Sequence, residues 1–242
     1  MLTAMAVVDV AIHPDVPAPA DVVVVVDTVR ATTTIAHALA GGYRRVVCVP
    51  DPTAARAEAA RIGPGAVLAG EDKGARIEGF ELGNSPTEFS PARGDDVVFV
   101  TRNGVQAILA ASREADVVVC GALVNLDAVA RAVGPRLDQG ASLVVRCAGT
   151  RGAVAVEDCY TAGRLVELVG VGHDLLDGAR VARAVARAYA APIDCLAEAQ
   201  STRNITPLGH GPDVAIAAQV GILDLVPTVV EAADDRVVLT AG

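Results

Sequence analysis

Tryptophan is absent from this 242-residue chain, and only three Tyr and three Phe supply aromatic rings. With 52% of the residues hydrophobic, the core must be assembled from Val, Ala, Leu and Ile. Lysine is nearly absent too: Lys73 stands alone among many arginines. The formal net charge is −9, which excludes the broad basic face that nucleic-acid binding requires. It leaves room for a small anionic substrate, because a few convergent arginines reverse the local potential. No apolar run reaches the roughly 20 residues of a membrane span. The first residues, MLTAMAVVDVAIHPD, lack the basic and long apolar regions of a signal peptide. The five cysteines form no CxxC pair, so the expectation is reduced thiols in a cytoplasmic protein.

Several catalytic signatures are missing as well. A haloacid-dehalogenase-type hydrolase needs a second Asp two residues after Asp27, where Val29 stands. A cysteine-dependent phosphatase needs Arg six positions after Cys147, where Ala153 stands. There is no P-loop Gly-Lys-Ser/Thr and no GxSxG elbow. His13, His37, His173 and His210 show no metal-ligand spacing and read as structural or exposed.

What is present begins with Asp21–Ile35, DVVVVVDTVRATTTI. Five consecutive valines cannot be amphipathic, so they predict a strand buried on both faces, as in a parallel sheet covered by helices. The run ends at Asp27, followed by Arg30 and a helix start rich in hydroxyls at Thr32, Thr33 and Thr34. A carboxylate, a guanidinium and unpaired N–H groups at one strand end point to phosphate chemistry with a metal.

The rest of the chain alternates. Strands are predicted at Ala4–Val10, Arg45–Val49, Ala66–Ala69, Val97–Val100, Asp116–Cys120 and Ser142–Cys147. Helices are predicted at Thr32–Ala40, Pro52–Ile62, Gly104–Ser112 and Asn125–Val133, then at Ala155–Val169, Asp174–Ala190 and Pro192–Ser201. Asp213–Val220 reads as a helix, with strands at Leu225–Val230 and Val237–Leu239. This pattern gives an α/β fold with a mostly parallel sheet covered by helices. Residues 134–140, GPRLDQG, are the best boundary, giving two α/β lobes over 1–134 and 141–242, with one continuous domain as the alternative. Residues 73–96 lack periodicity, but Ile77, Phe80, Leu82 and Phe89 predict an ordered loop.

In a parallel sheet the strand tips converge on one edge, where such folds bind ligands. Asp27, Glu71, Glu157 and Asp158 are the candidate ligands for a hard cation such as Mg²⁺. For Glu157 and Asp158 the preference of acidic residues for a helix start explains the pair equally well. Arg30, Arg102, Arg151 and, more weakly, Arg203 are candidate anion receptors. Asn84-Ser85 and Asn103-Gly104 add small polar groups, although alone they are ordinary turn chemistry. Cys147 reads either as a nucleophile or as a small buried apolar residue. Alternatives to catalysis remain open, namely an anion sensor or, last, an assembly protein.

A set of strings then resembles the 2-phosphosulfolactate phosphatase family. They are DTVRATTTIAHAL (27–39), LAGE (68–71), GFELGNSP (79–86), TRNG (101–104), GALVN (121–125), CAGTRG (147–152) and VEDCYTAG (156–163). The match covers residues 20–165 well and the remainder weakly. The resemblance implies a Mg²⁺-dependent phosphatase that converts 2-phosphosulfolactate to sulfolactate and phosphate, a step toward coenzyme M. It carries Asp27, Arg30, Glu71, Asn84, Ser85, Asn103, Gly104, Cys147, Glu157 and Asp158 into the site. It implies a small phosphorylated substrate, with no nucleic-acid or membrane partner. Oligomeric state is left open, apolar helices such as Val181–Ala191 serving either a dimer face or an internal core. Family members tend to read TTNGT where this chain has Thr101-Arg102-Asn103-Gly104-Val105. The added Arg102 therefore bears on which anion is accepted, and a phosphatase of the same fold acting on another small phosphorylated acid is the alternative.

Overall fold

Val22–Val26 are at most 1% exposed, and their alternate side chains enter two different apolar clusters. The computed structural model describes residues 5–242, so Ala4 of the first expected strand lies outside the described residues. The strands are β1 (Val7–Ala11), β2 (Ala20–Val26), β3 (Arg45–Cys48), β4 (Ala66–Asp72), β5 (Ala75–Arg76) and β6 (Asp96–Val100). They continue as β7 (Ala115–Gly121), β8 (Leu143–Cys147), β9 (Asp174–Leu175), β10 (Pro227–Ala233) and β11 (Arg236–Ala241). The helices are α1 (Ala31–Ala40), α2 (Pro52–Ile62), α3 (Gly104–Ala111), α4 (Leu126–Asp138) and α5 (Val156–Val169). After them come α6 (Asp177–Ala188), α7 (Pro192–Glu198), α8 (Gln200–Ile205) and α9 (Gly211–Ala217). None of these helices is long and apolar enough to cross a membrane.

The expected α/β class holds: one mixed, mostly parallel sheet is ordered β5-β4-β6-β3-β11-β10-β7-β2-β8-β1-β9. β2 is hydrogen-bonded in parallel to β7 on one side and to β8 on the other. Because strand side chains alternate, Val22, Val24 and Val26 pack with Leu126 and Val129 of α4 and Tyr160 and Leu165 of α5. Val23 and Val25 pack with Ile35 and Ala38 of α1 and Ile108 of α3. Each valine so buried contributes about 1.5–3 kcal/mol relative to exposure.

The sheet consists of two parallel blocks. One is β4-β6-β3, the other β7-β2-β8-β1-β9. The β10–β11 hairpin joins them through three antiparallel pairings, so the blocks run in opposite senses. They nevertheless share one apolar cluster around α1 and α3, which contains Val23 and Cys120 from one block and Val46, Val67 and Phe99 from the other. The sheet therefore curls about these two helices, as accumulated strand twist allows. This corrects the expectation of tips along one edge of a single parallel sheet. Residues 134–138 form the end of α4, with Pro135 inside it, and β8 inserts between β1 and β2.

Residues 73–96 are ordered as expected. They contain β5 and a short 3₁₀ turn at Pro86–Phe89, anchored by buried Phe80, Leu82 and Phe89. The interval 174–190 begins as the short edge strand β9 before α6, and residues 192–205 split into α7 and α8. Ala179, Ala182 and Ala186 are the buried stripe of α6, against α5.

Candidate active site

Asp27 leaves β2 at the floor of a cleft of about 530 Å³. The lining also includes Arg30, Glu71, Lys73, Gly74, Asn84, Arg102, Asn103, Thr150, Arg151, Ser201 and Asn204. The turn after β2 fastens itself internally. Ala31 N–H donates to Asp27 Oδ1 (3.2 Å) and Thr32 N–H to the Asp27 carbonyl (3.0 Å), so Asp27 closes the start of α1. Asp27 N–H in turn donates to Thr32 Oγ1 (3.0 Å). The first residue of α3 approaches from the other block: a Cβ on Gly104 would stand 2.5 Å from Ala31 Cβ and 2.7 Å from Asp27 Oδ2. Only glycine permits that approach, and it brings two helix N-termini to one carboxylate. Burial, the largest cause, pushes the Asp27 carboxyl up to about 7; Glu157 and Glu71 add to the rise, while the Ala31 N–H and Arg30 oppose it.

Arg30 is buried and held at both ends of its fork. Its Nη1 donates to Asp213 Oδ2 (2.7 Å) and its Nη2 to the Gly74 carbonyl (3.2 Å). Ser85 Oγ donates to the other oxygen of Asp213 (2.6 Å), and His210 Nδ1 lies 3.6 Å from Asp213. Arg30 is thus positioned by α9, a part of the chain to which the sequence pattern assigns no role. Replacing Asp213 by Ala strands a buried guanidinium, and we expect about 3–5 kcal/mol of destabilisation in chemical denaturation. Asp213→Asn, which keeps the shape, should fold but lose roughly 100-fold in kcat/KM through misplacement of Arg30.

The four candidate metal ligands divide. Glu71 lines the cleft with Oε2 accepting from Gly74 N–H (2.6 Å) and Oε1 from Arg102 N–H (3.2 Å). Glu157 is buried behind the residues that line the cleft, and its Oε2 has no hydrogen-bond partner among the described residues. Burial holds Glu157 above the usual carboxylate range, partly offset by the Ser201 hydroxyl. Asp158 is different: Oδ1 accepts Thr28 N–H (2.8 Å) and Oδ2 accepts Gly149 N–H (3.0 Å). Both of its oxygens are engaged by backbone, so Asp158 braces the β2 and β8 tips against each other rather than facing the cleft.

Among the described residues no three His, Cys, Asp or Glu side chains form a closed metal site. Mg²⁺ does not require one, since it is ordinarily held by one or two carboxylates, water and substrate phosphate oxygens. The orphaned Glu157 Oε2 and the Asp27 carboxylate are hard oxygen donors in a crowded acidic environment, and they fit such an ion.

The remaining candidates are sorted by their partners. Thr32 Oγ1 donates to the Asp27 carbonyl, Thr33 Oγ1 to the Thr28 carbonyl and Thr34 Oγ1 to the Asn84 carbonyl. All three hydroxyls are buried in the turn they hold together, and none of the three residues lines the cleft. Cys147 lies in the apolar core and does not line the cleft, and its hydrogen bond with Cys159 together with burial pushes its thiol well up. Asn84 and Asn103 line the cleft, and Asn84 Oδ1 is buried without a partner. Arg102 Nε donates to Asp72 (2.6 Å), so its charge is shared at the rim. Arg203 donates to the Glu198 carbonyl and does not line the cleft.

The profile of the 2-phosphosulpholactate phosphatase family matches residues 10–232. The chain belongs to this family. Among its relatives is a "Probable 2-phosphosulfolactate phosphatase" of Deinococcus radiodurans, 38% identical over 218 residues, 88% of this chain and 90% of that protein. One from Thermus thermophilus with the same description is 38% identical over 211 residues, 86% and 87% of the two chains. A third, from Pseudothermotoga lettingae, is 32% identical over 226 residues, 93% and 96% of the two chains. The family name is that of a phosphoric monoester hydrolase.

For a member of this family the residues missed in the sequence are Lys73, Thr150, Ser201, Asn204 and Asp213. Ser201 and Asn204 lie on α8 and Asp213 on α9, in the stretch where the motif strings fade. Lys73 carries a signal that the sequence does offer: it is the single lysine of the chain.

Proposed function

We propose that this protein is a Mg²⁺-dependent phosphatase that hydrolyses 2-phosphosulfolactate to sulfolactate and inorganic phosphate, toward coenzyme M. One observation carries the reading. A chain of net charge −9 gathers Arg30, Lys73, Arg102 and Arg151 into a single cleft around the Asp27 carboxylate. A site of that composition suits a polyanion bound together with a divalent cation, and the family's name supplies the substrate.

Asp27 and Glu157 would hold the metal, with Glu71 nearby. When bound, Mg²⁺ supplies Lewis-acid polarisation of the phosphoryl oxygens and neutralises charge as the ester bond breaks. Arg30, fixed by Asp213 and Gly74, stabilises charge on the transferring group from a position that needs no reorganisation. The starts of α1 and α3 add the positive ends of two helix dipoles. The Asn84 and Asn103 amides donate to non-bridging oxygens. Thr32, Thr33, Thr34 and Asp158 keep this constellation rigid without touching substrate.

The test is phosphate release from 2-phosphosulfolactate by the purified protein, before and after chelation. Turnover is expected to vanish in EDTA and return with Mg²⁺. Absence of turnover with Mg²⁺ present would overturn the substrate, and turnover that survives chelation would overturn the metal.

A further inference from the structure

Among the described residues Lys73 and Arg151 are the two non-glycine residues with positive φ, at 55° and 54°. Each is the first central residue of a two-residue hairpin loop and each is followed by glycine at positive φ, Gly74 (87°) and Gly152 (76°). In the first loop Asp72 pairs with Ala75. In the second Thr150 and Ala153 exchange both backbone hydrogen bonds (2.9 and 3.0 Å). Positive φ at both central positions is the signature of a type I′ turn, whose first position prefers Asn, Asp or Gly. A long cationic side chain there is unfavourable locally. Both residues line the cleft, one from each strand block, and neither side chain forms an ion pair or hydrogen bond among the described residues. The other two cleft cations are engaged, Arg30 by Asp213 and Arg102 by Asp72.

We propose that Lys73 and Arg151 form a two-point clamp for the anionic groups of the substrate that do not react, Lys73 taking the sulfonate and Arg151 the carboxylate. This rests on the 2-phosphosulfolactate reading of the site. The assignment follows from side-chain chemistry: the planar guanidinium fork matches a carboxylate edge, whereas the ammonium is a compact charge suited to a three-oxygen sulfonate. With Arg30 committed to the phosphoryl group, the clamp accounts for every anionic group of the substrate. It also assigns specificity to the tight turns, where two free cations stand on short tethers.

The test compares kcat/KM for three esters: 2-phosphosulfolactate, 2-phospholactate (a methyl group in place of the sulfonate arm) and isopropyl phosphate (neither group). Lys73→Gln is expected to reduce the preference for 2-phosphosulfolactate over 2-phospholactate by about 10–100-fold, mainly through KM. Arg151→Gln is expected to reduce the preference for 2-phospholactate over isopropyl phosphate by a similar factor, and Arg151→Lys to restore it only in part. Wild-type preferences retained in both Gln variants, or equal losses on all three esters, would overturn the clamp while leaving the phosphatase standing. A wild type that leaves 2-phosphosulfolactate intact but hydrolyses another ester would overturn the substrate reading and the clamp with it.

Discussion

Asp27→Asn is expected to lower kcat by about 10³-fold or more while making the metal-free protein more stable above pH 7. Both effects have the same origin. The carboxylate is buried beside Glu157 and Glu71, and these surroundings push its pKa from 3.8 up to about 7. The folded protein therefore holds the proton more tightly than the unfolded chain, and stability from this group is full below pH 4. It is lost as pH rises through 7, at about 1.4 kcal/mol for each pH unit between the unfolded and folded values. Asn carries no titratable proton, and its Oδ1 can still accept the Ala31 N–H. In EDTA, the Tm of wild type should fall between pH 5 and pH 8 relative to that of the variant. The loss of rate follows because the amide contributes no charge where the proposed Mg²⁺ would be held. Undiminished turnover would remove Asp27 from the chemistry, and a Tm gap independent of pH would contradict the raised pKa.

Asp158→Ala should destabilise the protein by about 2–6 kcal/mol, whereas Glu157→Gln, one residue away, should leave the fold nearly intact and weaken the proposed Mg²⁺ binding. Asp158 satisfies two buried backbone donors, Thr28 N–H and Gly149 N–H, and each donor left without an acceptor costs about 1–3 kcal/mol. Its charge contributes little to this sum, since burial, Glu157 and Asp27 all push its pKa well up. The two donors belong to the tips of β2 and β8, so their release would also loosen the turn that carries Arg30. Glu157 has the opposite profile, with an oxygen that no protein group satisfies. Urea midpoints and Mg²⁺ titrations of the two variants separate the roles. Equal stability of wild type and Asp158→Ala would contradict the bracing role.

The valine run is legible in the sequence because its periodicity is absent rather than ambiguous, and the same holds for the helix after Arg30. The candidate site is half legible. Asp27, Arg30, Glu71 and Asn103 follow from the ends of β2, β4 and β6, whereas Asn84 lies in the loop between β5 and β6. Thr32, Thr33 and Thr34 are ambiguous because a hydroxyl at a helix start serves a ligand or its own backbone with the same sequence. Cys147 is ambiguous for a related reason, since only depth distinguishes a nucleophile from a core residue. Asp213 gives no local sign: its importance lies in a contact 183 positions away. The sheet's reversal is equally invisible, because hairpin strands near the C-terminus do not announce where they insert.

That insertion has a consequence for how the protein is made. A nascent chain that has emerged through α9 already contains both strand blocks and every lining residue of the cleft, yet it lacks the strands that splice β3 to β7. The two walls then meet through side-chain packing around α1 and α3 and through isolated hydrogen bonds such as Arg30 to Gly74 and Thr34 to Asn84, with no continuous sheet between them. Fragments cut before Pro227 should therefore hold all the chemical groups and no working geometry, and synthesis of β10 and β11 becomes the event that switches the enzyme on.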